Sequence, residues 1–341
     1  MEYRVLGKTQ LKVSALGFGC GAVGGILVKG SRQEMLRAVA RACELGVNYF
    51  DTAPLYGDRA SETNLGIVLE SLGQEVIVGT KVRLRLADLD NLETAITRSV
   101  ESSLRRLRRE AIDLLQLHNY AGETDTASQE WLNAEQIART VDVFKTLRAQ
   151  GRIRFWGING LGDPATIRQL LSTEIYTAQF CFNLLNPTAG LPVPPHFPFE
   201  NYQQLMVRAA QEQVGVLAIR VLAGGALGDL ADRPANAAVP IEPIASGSSF
   251  DEDLLLAQQF RFLVKEGYTE TLAEAALRFA SSLPAVSSTV LGISTLEQLE
   301  AAALAIHKGP LPAEVYPRLT AIWENFSVQL HSAAAGLPPV G

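Results

Sequence analysis

Six polar side chains stand where apolar, β-branched runs of the sequence come to an end. They are Asp51, Lys81, His118, Asn159, Gln179 and Arg220. Simple exposure of a strand end could explain a polar residue at any one of these positions. Packing gives no reason, however, for six buried strands all to end on a polar residue. In a parallel barrel, by contrast, catalytic groups lie at the carboxyl ends of the strands. We therefore predict that these side chains share one functional rim.

Three of the six, with a tyrosine in the turn after Asp51, supply what the reduction of a carbonyl requires. Hydride addition leaves an alkoxide that needs a proton, and Tyr56, a weak acid with a pKa of about 10, can deliver it. An ammonium at Lys81, oriented by Asp51, would favour the ionised tyrosine, and His118 could steer the carbonyl oxygen. Taken alone, Tyr56 is equally compatible with an exposed turn aromatic.

The elements that must position these residues alternate along the chain. Short apolar runs, typical of buried parallel strands, alternate with stretches of helical period. The predicted strands are 16–19, 47–51, 76–81, 112–118, 153–159, 176–180, 214–220 and 286–292. Length alone suggests about two domains, but eight such units without a break in composition favour a single α/β domain over residues 1–341, a (β/α)₈ TIM barrel. Residues 3–13 are predicted to form an N-terminal β-hairpin that closes its bottom.

Two helices between the strands carry apolar stripes. Helix 33–45, with Ser31 as its N-cap, should bury Leu36, Val39, Ala40 and Cys43. Helix 94–108 should bury Ile96, Val100, Leu104 and Leu107.

Three longer segments interrupt the alternation, and each follows a strand. Segments 119–133, 186–198 and 223–249 are therefore predicted to be long loops on the face that carries the strand ends, where they would contact the substrate. A helix is predicted around 317–330, and the tail 332–341 is predicted to be frayed.

The charge balance disfavours nucleic acid as a partner. The 30 Lys and Arg against 36 Asp and Glu give a net charge of −6. We interpret the densest basic run as a solvated face at the end of a helix; it consists of Arg105, Arg106, Arg108 and Arg109.

Cysteine and histidine usage points to a cytoplasmic protein without a metal. The 3 cysteines are widely spaced and predict reduced thiols. The start of the chain does not resemble a signal peptide, and no apolar run reaches the roughly 18 residues of a membrane span, so no membrane association is expected. His196, His307 and His331 are scattered and imply no metal site.

At the strand ends the sequence resembles the aldo-keto reductase family. The runs 3–7 and 16–19, and Phe50-Asp51-Thr52-Ala53-Pro54-Leu55-Tyr56-Gly57, look like the N-terminal half of that family. Lys81 and His118 follow runs 78–80 and 113–117 as the family's motifs have them. The resemblance covers essentially the whole chain. It implies a catalytic tetrad, with the tyrosine as general acid or base: Asp51, Tyr56, Lys81 and His118.

The resemblance also implies a nicotinamide cofactor. Asn159 and Gly160 stand where the family usually has a serine and an asparagine, and Gln179 matches the glutamine that binds the carboxamide. The tyrosine that many members stack on the nicotinamide is missing, and Arg220 in that segment is a candidate phosphate contact. The cofactor residues implied are Asn159, Gln179, Arg220, Leu222, Gly292, Ser294 and Gln298.

Cofactor preference stays open at this point. NADP(H) is the family's default, and members specific for it often carry a lysine and an arginine in the segment that 290–299 resembles. This chain has Gly292 and Gln298 there, without the fixed positive charge that usually holds a 2′-phosphate. NAD(H) is therefore an alternative.

A second motif imitates a different nucleotide-binding fold. Gly19-Cys20-Gly21-Ala22-Val23-Gly24 matches G-x-G-x-x-G after a predicted strand. In a Rossmann fingerprint the third glycine opens a helix, whereas residues 26–30 intervene here before Ser31. We interpret the match as accidental.

The sequence is compatible with two functions, one enzymatic and one regulatory. The first is a reductase or dehydrogenase of aldehydes, ketones or aldoses. The second is a cofactor-binding regulatory or sensor protein with little turnover, since the same family fold also serves as a regulatory subunit of ion channels. The intact tetrad favours the enzyme. Physiological substrate, direction of reaction and oligomeric state are not determined by the sequence.

Overall fold

The strands of the protein lie within two residues of their predicted bounds. The computed structural model describes residues 1–123, 131–228, 233–239 and 241–334. A hairpin, β1 (Tyr3–Val5) and β2 (Lys12–Ser14), precedes the longer series of strands. That series is β3 (Leu16–Gly19), β4 (Tyr49–Asp51), β5 (Ile77–Val82), β6 (Ile112–Leu117), β7 (Ile153–Asn159), β8 (Thr177–Cys181), β9 (Gly215–Ile219) and β10 (Val286–Gly292).

Within the described residues, β3 to β10 close into a barrel. Each strand pairs in parallel with the next, and β10 pairs with both β9 and β3. The predicted (β/α)₈ barrel is therefore confirmed. Because all eight strands run in the same direction, their carboxyl ends form one rim.

The N-terminal hairpin closes the opposite end of the barrel. Its strands pair antiparallel, with Tyr3 opposite Ser14. Leu6, Leu11 and Val13 of this segment pack into the barrel interior, in a cluster that also contains Tyr49, Leu114, Leu217 and Val290. A second, larger core lies between the barrel and its helices. The predicted position of the hairpin is confirmed.

Helices connect the strands and cover the outside of the barrel. They are α1 (Ile26–Lys29), α2 (Arg32–Glu44), α3 (Ala60–Leu72), α4 (Leu92–Leu107), α5 (Ala134–Ala149), α6 (Pro164–Leu171), α7 (Leu205–Gln211), α8 (Phe250–Ala257), α9 (Phe262–Lys265), α10 (Leu272–Ser282), α11 (Leu296–His307) and α12 (Tyr316–Ala334). Gly24 is followed by Gly25 and then by α1, so no long helix opens on the glycine motif.

The two predicted apolar stripes fare differently. The stripe of α4 is buried as predicted. In α2, Ser31 caps the helix through a reciprocal pair of bonds with Glu34, as expected. Its buried face, however, is Met35, Ala38, Val39 and Ala42, so of the residues predicted only Val39 is fully buried. The buried face is shifted by one residue from the predicted one because the small alanines Ala38 and Ala42 pack inward, in place of the larger apolar residues on which the prediction was based.

The basic run at the end of α4 is not simply solvated. Arg106 donates to Glu62, which is fully buried in α3, at 2.6 Å. Arg108 pairs with Glu70, and Arg109 pairs with Asp113 at 2.8 Å. Arg105 and Arg108 are exposed as expected, but Arg106 and Arg109 are partly buried in ion pairs with α3 and β6, which corrects the interpretation from sequence for these two.

Parts of the predicted loops and tail lie outside the described residues. These parts are 124–130 of the first loop, 229–232 and 240 of the third, and 335–341 of the tail. The backbone of 332–334 continues α12, so this part of the predicted tail is helical. The second loop, 186–198, contains neither helix nor strand.

Candidate active site

Asp51 and Lys81 form a buried ion pair at the carboxyl rim. β4 ends at Asp51, and the neighbouring β5 carries Lys81 next to its end. The ammonium donates to Asp51 Oδ1 and, at 2.9 Å, to the carbonyl oxygen of Thr52. Burial opposes the charged lysine, but Asp51 and then Tyr56 outweigh it, so the pKa of Lys81 is raised. Lys81 is therefore an ammonium at neutral pH.

Tyr56 lies in the turn after β4, with its ring against this lysine. The distance from Lys81 Nζ to the ring centroid is 4.8 Å. Burial raises the pKa of Tyr56, the charge and hydrogen bond of Lys81 lower it, and the charge of Asp51 raises it. The net direction is upward: the ammonium of Lys81 limits the rise in the pKa of Tyr56 but does not reverse it. At neutral pH Tyr56 is therefore protonated.

His118 follows β6 and faces Tyr56 edge-on. The two ring centroids are 6.0 Å apart and the ring planes are 86° apart. Burial, and then the charges of Lys81 and Arg83, lower the pKa of His118 to about 3. Its Nδ1 is buried and has no hydrogen-bond partner in the described part of the chain. His118 is thus a neutral imidazole, which can donate one N–H to a substrate oxygen without competing as a proton source.

Asn159, which ends β7, and Gln179, in the middle of β8, are buried beside the predicted tetrad. Asn159 Nδ2 lies 3.5 Å from the carbonyl oxygen of His118. Gln179 Nε2 donates to Asp51 Oδ2 at 2.6 Å, across the barrel. The same carboxylate oxygen accepts a hydrogen bond of 3.0 Å from the hydroxyl of Tyr49. Neither contact with Asp51 was predicted from the sequence.

The other five predicted cofactor residues line one cleft of about 460 Å³ that runs from the β9 and β10 ends to helices α10 and α11. They are Arg220, Leu222, Gly292, Ser294 and Gln298. The N-terminus of α11 opens onto this cleft, where Thr295 caps the helix and Gln298 Oε1 accepts from the backbone N–H of Ser294 at 3.1 Å. A helix N-terminus favours bound anions because its backbone N–H groups and dipole point outward.

Arg233 is a cleft residue that the strand-end pattern missed, because it lies in the middle of a long loop. It faces Arg220, and burial together with the charge of Arg220 lowers the pKa of Arg233. Each arginine donates to a backbone carbonyl, Arg220 to Glu242 at 2.5 Å and Arg233 to Gly224 at 2.9 Å. The Nε atoms of both are buried without a hydrogen-bond partner among the described residues. Two like charges with unused donors fit an anionic ligand such as a phosphate.

Neither a metal site nor a membrane-spanning helix occurs among the residues that the structure describes. No group of three or more His, Cys, Asp and Glu side chains there is placed to hold a metal ion. No helix within the same ranges is both long enough and apolar enough to span a membrane.

Comparison with known proteins gives consistent matches over most of the chain. The model of the "Aldo/keto reductase family" matches residues 15–324. The L-galactose dehydrogenase of Arabidopsis thaliana is 26% identical over 315 residues, which cover 88% of this chain and 86% of that protein. The holo form of an aldo-keto reductase from Bacillus halodurans superposes with a TM-score of 0.69 at 26% identity and covers 96% of both chains. An aldo-keto reductase of Klebsiella pneumoniae in complex with NADPH, at 22% identity, a TM-score of 0.65 and 95% coverage of both chains, has the same fold.

Proposed function

The chain belongs to the aldo/keto reductase family, and on that premise we propose that it transfers hydride between a nicotinamide cofactor and the carbonyl or alcohol carbon of an aldehyde, ketone or aldose. The observation that carries the proposal is the cluster of Tyr56, Lys81, Asp51 and His118 at one rim. That cluster holds a protonated phenol, an ammonium beside it and a neutral imidazole opposite.

In the proposed reduction, the residues of the chain manage the proton. The bound nicotinamide supplies the hydride. Tyr56 donates its phenolic proton to the carbonyl oxygen, and Lys81 stabilises the resulting phenolate through its charge. Asp51 keeps Lys81 charged and in place, while an N–H of His118 orients the oxygen. In the oxidation of an alcohol the same residues act in reverse, with Tyr56 as base.

The cleft supplies the groups that would hold the cofactor. Arg220, Arg233 and the N-terminus of α11 are suited to its phosphates. Asn159 and Gln179 present side-chain amides beside the tetrad, where they would bind the carboxamide. NADP(H) is our first expectation, and NAD(H) is the alternative.

A panel of substrates with NADPH and NADH tests this function. We expect turnover of at least one aldehyde, ketone or aldose, with L-galactose included because of the relative of that name. Strong chelators should leave the rate unchanged, because Tyr56 and His118 polarise the carbonyl in this proposal. Tight cofactor binding with no turnover across the panel would favour the sensor function. Inactivation by chelators that zinc reverses would contradict the proposed roles of Tyr56 and His118.

Cofactor preference should depend on position 298. We expect wild-type discrimination between NADPH and NADH to be weak, because Gly292 and Gln298 carry no charge. Gln298→Arg should shift the ratio of the two dissociation constants toward NADPH by roughly 10- to 100-fold, the worth of one charge-assisted contact.

The matched control for this change is Gln298→Leu. Both variants lose the acceptor for the N–H of Ser294, but only the arginine adds a charge. Equal affinity ratios in the two variants would contradict a 2′-phosphate site at this position. A thousandfold preference of the wild type for NADPH would instead assign that phosphate to Arg220 or Arg233.

A further inference from the structure

The carboxylate of Asp51 divides its two oxygens between different partners. Oδ1 accepts from Lys81, while Oδ2 accepts from the hydroxyl of Tyr49 at 3.0 Å and from Gln179 Nε2 at 2.6 Å. We propose that Tyr49 is a positioning residue of the site: with Gln179, it fixes Oδ2 so that Oδ1 stays on Lys81. This inference rests on the proposed function, because Lys81 matters there through Tyr56.

The barrel interior is shaped around the ring of Tyr49. This side chain is fully buried in the interior cluster, one layer below the rim. Glycines stand beside it on both neighbouring strands, Gly17 on β3 and Gly79 on β5. A Cβ added at Gly79 would lie 2.5 Å from the Tyr49 hydroxyl, and one at Gly17 would lie 3.0 Å from its Cδ1. Because these glycines have no side chains, the Tyr49 ring has room to lie where its hydroxyl reaches Asp51.

The hydroxyl of Tyr49 is suited to act as a permanent donor. Burial, and then the charge of Asp51, raise the pKa of Tyr49 well above its ordinary value. The phenol therefore stays protonated wherever the enzyme is active, and a neutral donor does not compete with Lys81 for charge. Tyr49 is distinct in this respect from Tyr56, which has the ammonium of Lys81 against its ring.

Fixing Oδ2 also moderates the charge of Asp51 at the proton donor. The negative charge of Asp51 raises the pKa of Tyr56, which is opposed by Lys81. Two hydrogen bonds to Oδ2 disperse part of that charge. Without the Tyr49 hydroxyl, the charge of Asp51 would act more strongly on Tyr56 and make its phenol harder to ionise.

Gln179 gives this arrangement a second connection. One N–H of its Nε2 donates to Asp51, and its Oε1 can accept from the amide of a bound carboxamide. Hydrogen bonds would then run from the carboxamide through Gln179 and Asp51 to Lys81 and Tyr56. Tyr49 lies below this series and does not line the cofactor cleft.

The experiment is Tyr49→Phe, which keeps the ring and removes only the donor. We expect turnover to fall roughly 10-fold, the lower end for a lost hydrogen bond to a charged group, since Gln179 still binds Oδ2. The dissociation constant of the cofactor should be unchanged. The midpoint of the pH–rate profile assigned to Tyr56 should move to higher pH by roughly half a unit to one unit. A purely structural role would lower the rate without moving this midpoint.

Two further measurements separate this inference from the proposed function. Tyr3→Phe is the control for tyrosine replacement, because its hydroxyl donates to Gly46 far from the rim. Ionisation of Tyr56 is also followed without substrate, by tyrosinate absorbance relative to Tyr56→Phe, in chains with and without Tyr49→Phe. Absence of turnover in the wild type would contradict the proposed function but would not by itself contradict the role of Tyr49. An unshifted Tyr56 midpoint in Tyr49→Phe would overturn the role of Tyr49, whatever the turnover.

Discussion

Replacement of Tyr56 by phenylalanine is expected to lower turnover by roughly 10² to 10⁴-fold, the usual worth of a positioned general acid. The ring and its packing against Lys81 and His118 are retained, and only the hydroxyl that carries the proton is lost. The groups proposed to hold the cofactor's phosphates and carboxamide are other residues, Arg220, Arg233 and Gln179 among them, so cofactor affinity should change little. The measurement is single-turnover rate beside the cofactor dissociation constant.

A matched control shows whether any loss is specific to the site. Tyr176→Phe removes a hydroxyl that bonds Arg148, at the start of β8 and therefore at the opposite end of the barrel. This control should keep wild-type turnover. Retention of more than about a third of the wild-type rate by Tyr56→Phe, with chemistry shown to be rate-limiting, would refute a general-acid role for Tyr56.

The barrel itself could be predicted because its strands are buried on both faces. Such strands appear in the sequence as continuous apolar runs, and their regular alternation with helical periods leaves few other folds. The polar residues that end these runs, Asp51, Lys81 and His118 among them, could be located for the same reason. In a closed parallel barrel every strand end reaches the same rim. The position of a side chain at the end of its strand was therefore enough to predict that it lies at this rim.

Individual contacts across the barrel could not be predicted in this way. Gln179 and Asp51 are 128 residues apart, on strands that do not pair with one another, so no local pattern indicates their hydrogen bond. Tyr49 lies within an apolar run and is indistinguishable there from a core aromatic. Its role depends on the space left by Gly17 and Gly79 on the neighbouring strands.

The electrostatic balance of the site also required the structure. The lowering effect of Lys81 on the pKa of Tyr56 could be named from the sequence, but the opposing effect of burial, which outweighs it, could not. Arg233 could not be predicted as a cleft residue because it lies in a loop, where the sequence has no regular pattern that indicates which way a side chain points. Its closeness to Arg220 depends on how that loop folds over the cleft.

Lys81→Met should also reduce turnover strongly, by roughly 10² to 10³-fold. Without the ammonium, the remaining influences on Tyr56, with burial and Asp51 the largest, all raise its pKa further from neutrality. The phenolate formed by proton transfer would also lose its stabilising charge. Removal of one partner of a buried pair commonly costs about 3 to 5 kcal/mol of stability, so unfolding must be measured beside activity.

A second variant keeps this test decisive if Lys81→Met folds poorly. Lys81→Met combined with Asp51→Asn removes both charges, which leaves no unpaired carboxylate in the barrel. We expect this variant to be more stable than Lys81→Met and equally slow. Recovery of turnover together with stability would mean that Lys81 supports the fold rather than the proton transfer.

The combination of Tyr56→Phe with Lys81→Met tests whether the two residues act as one unit. Lys81 is proposed to act on the reaction through the phenol of Tyr56, which it contacts directly. Once the hydroxyl is absent, the lysine has little left to assist, so the double variant should be scarcely slower than Tyr56→Phe alone. Such non-additivity is the usual behaviour of groups that share one step. Losses that multiply would instead show that Lys81 acts on the substrate or cofactor independently of Tyr56.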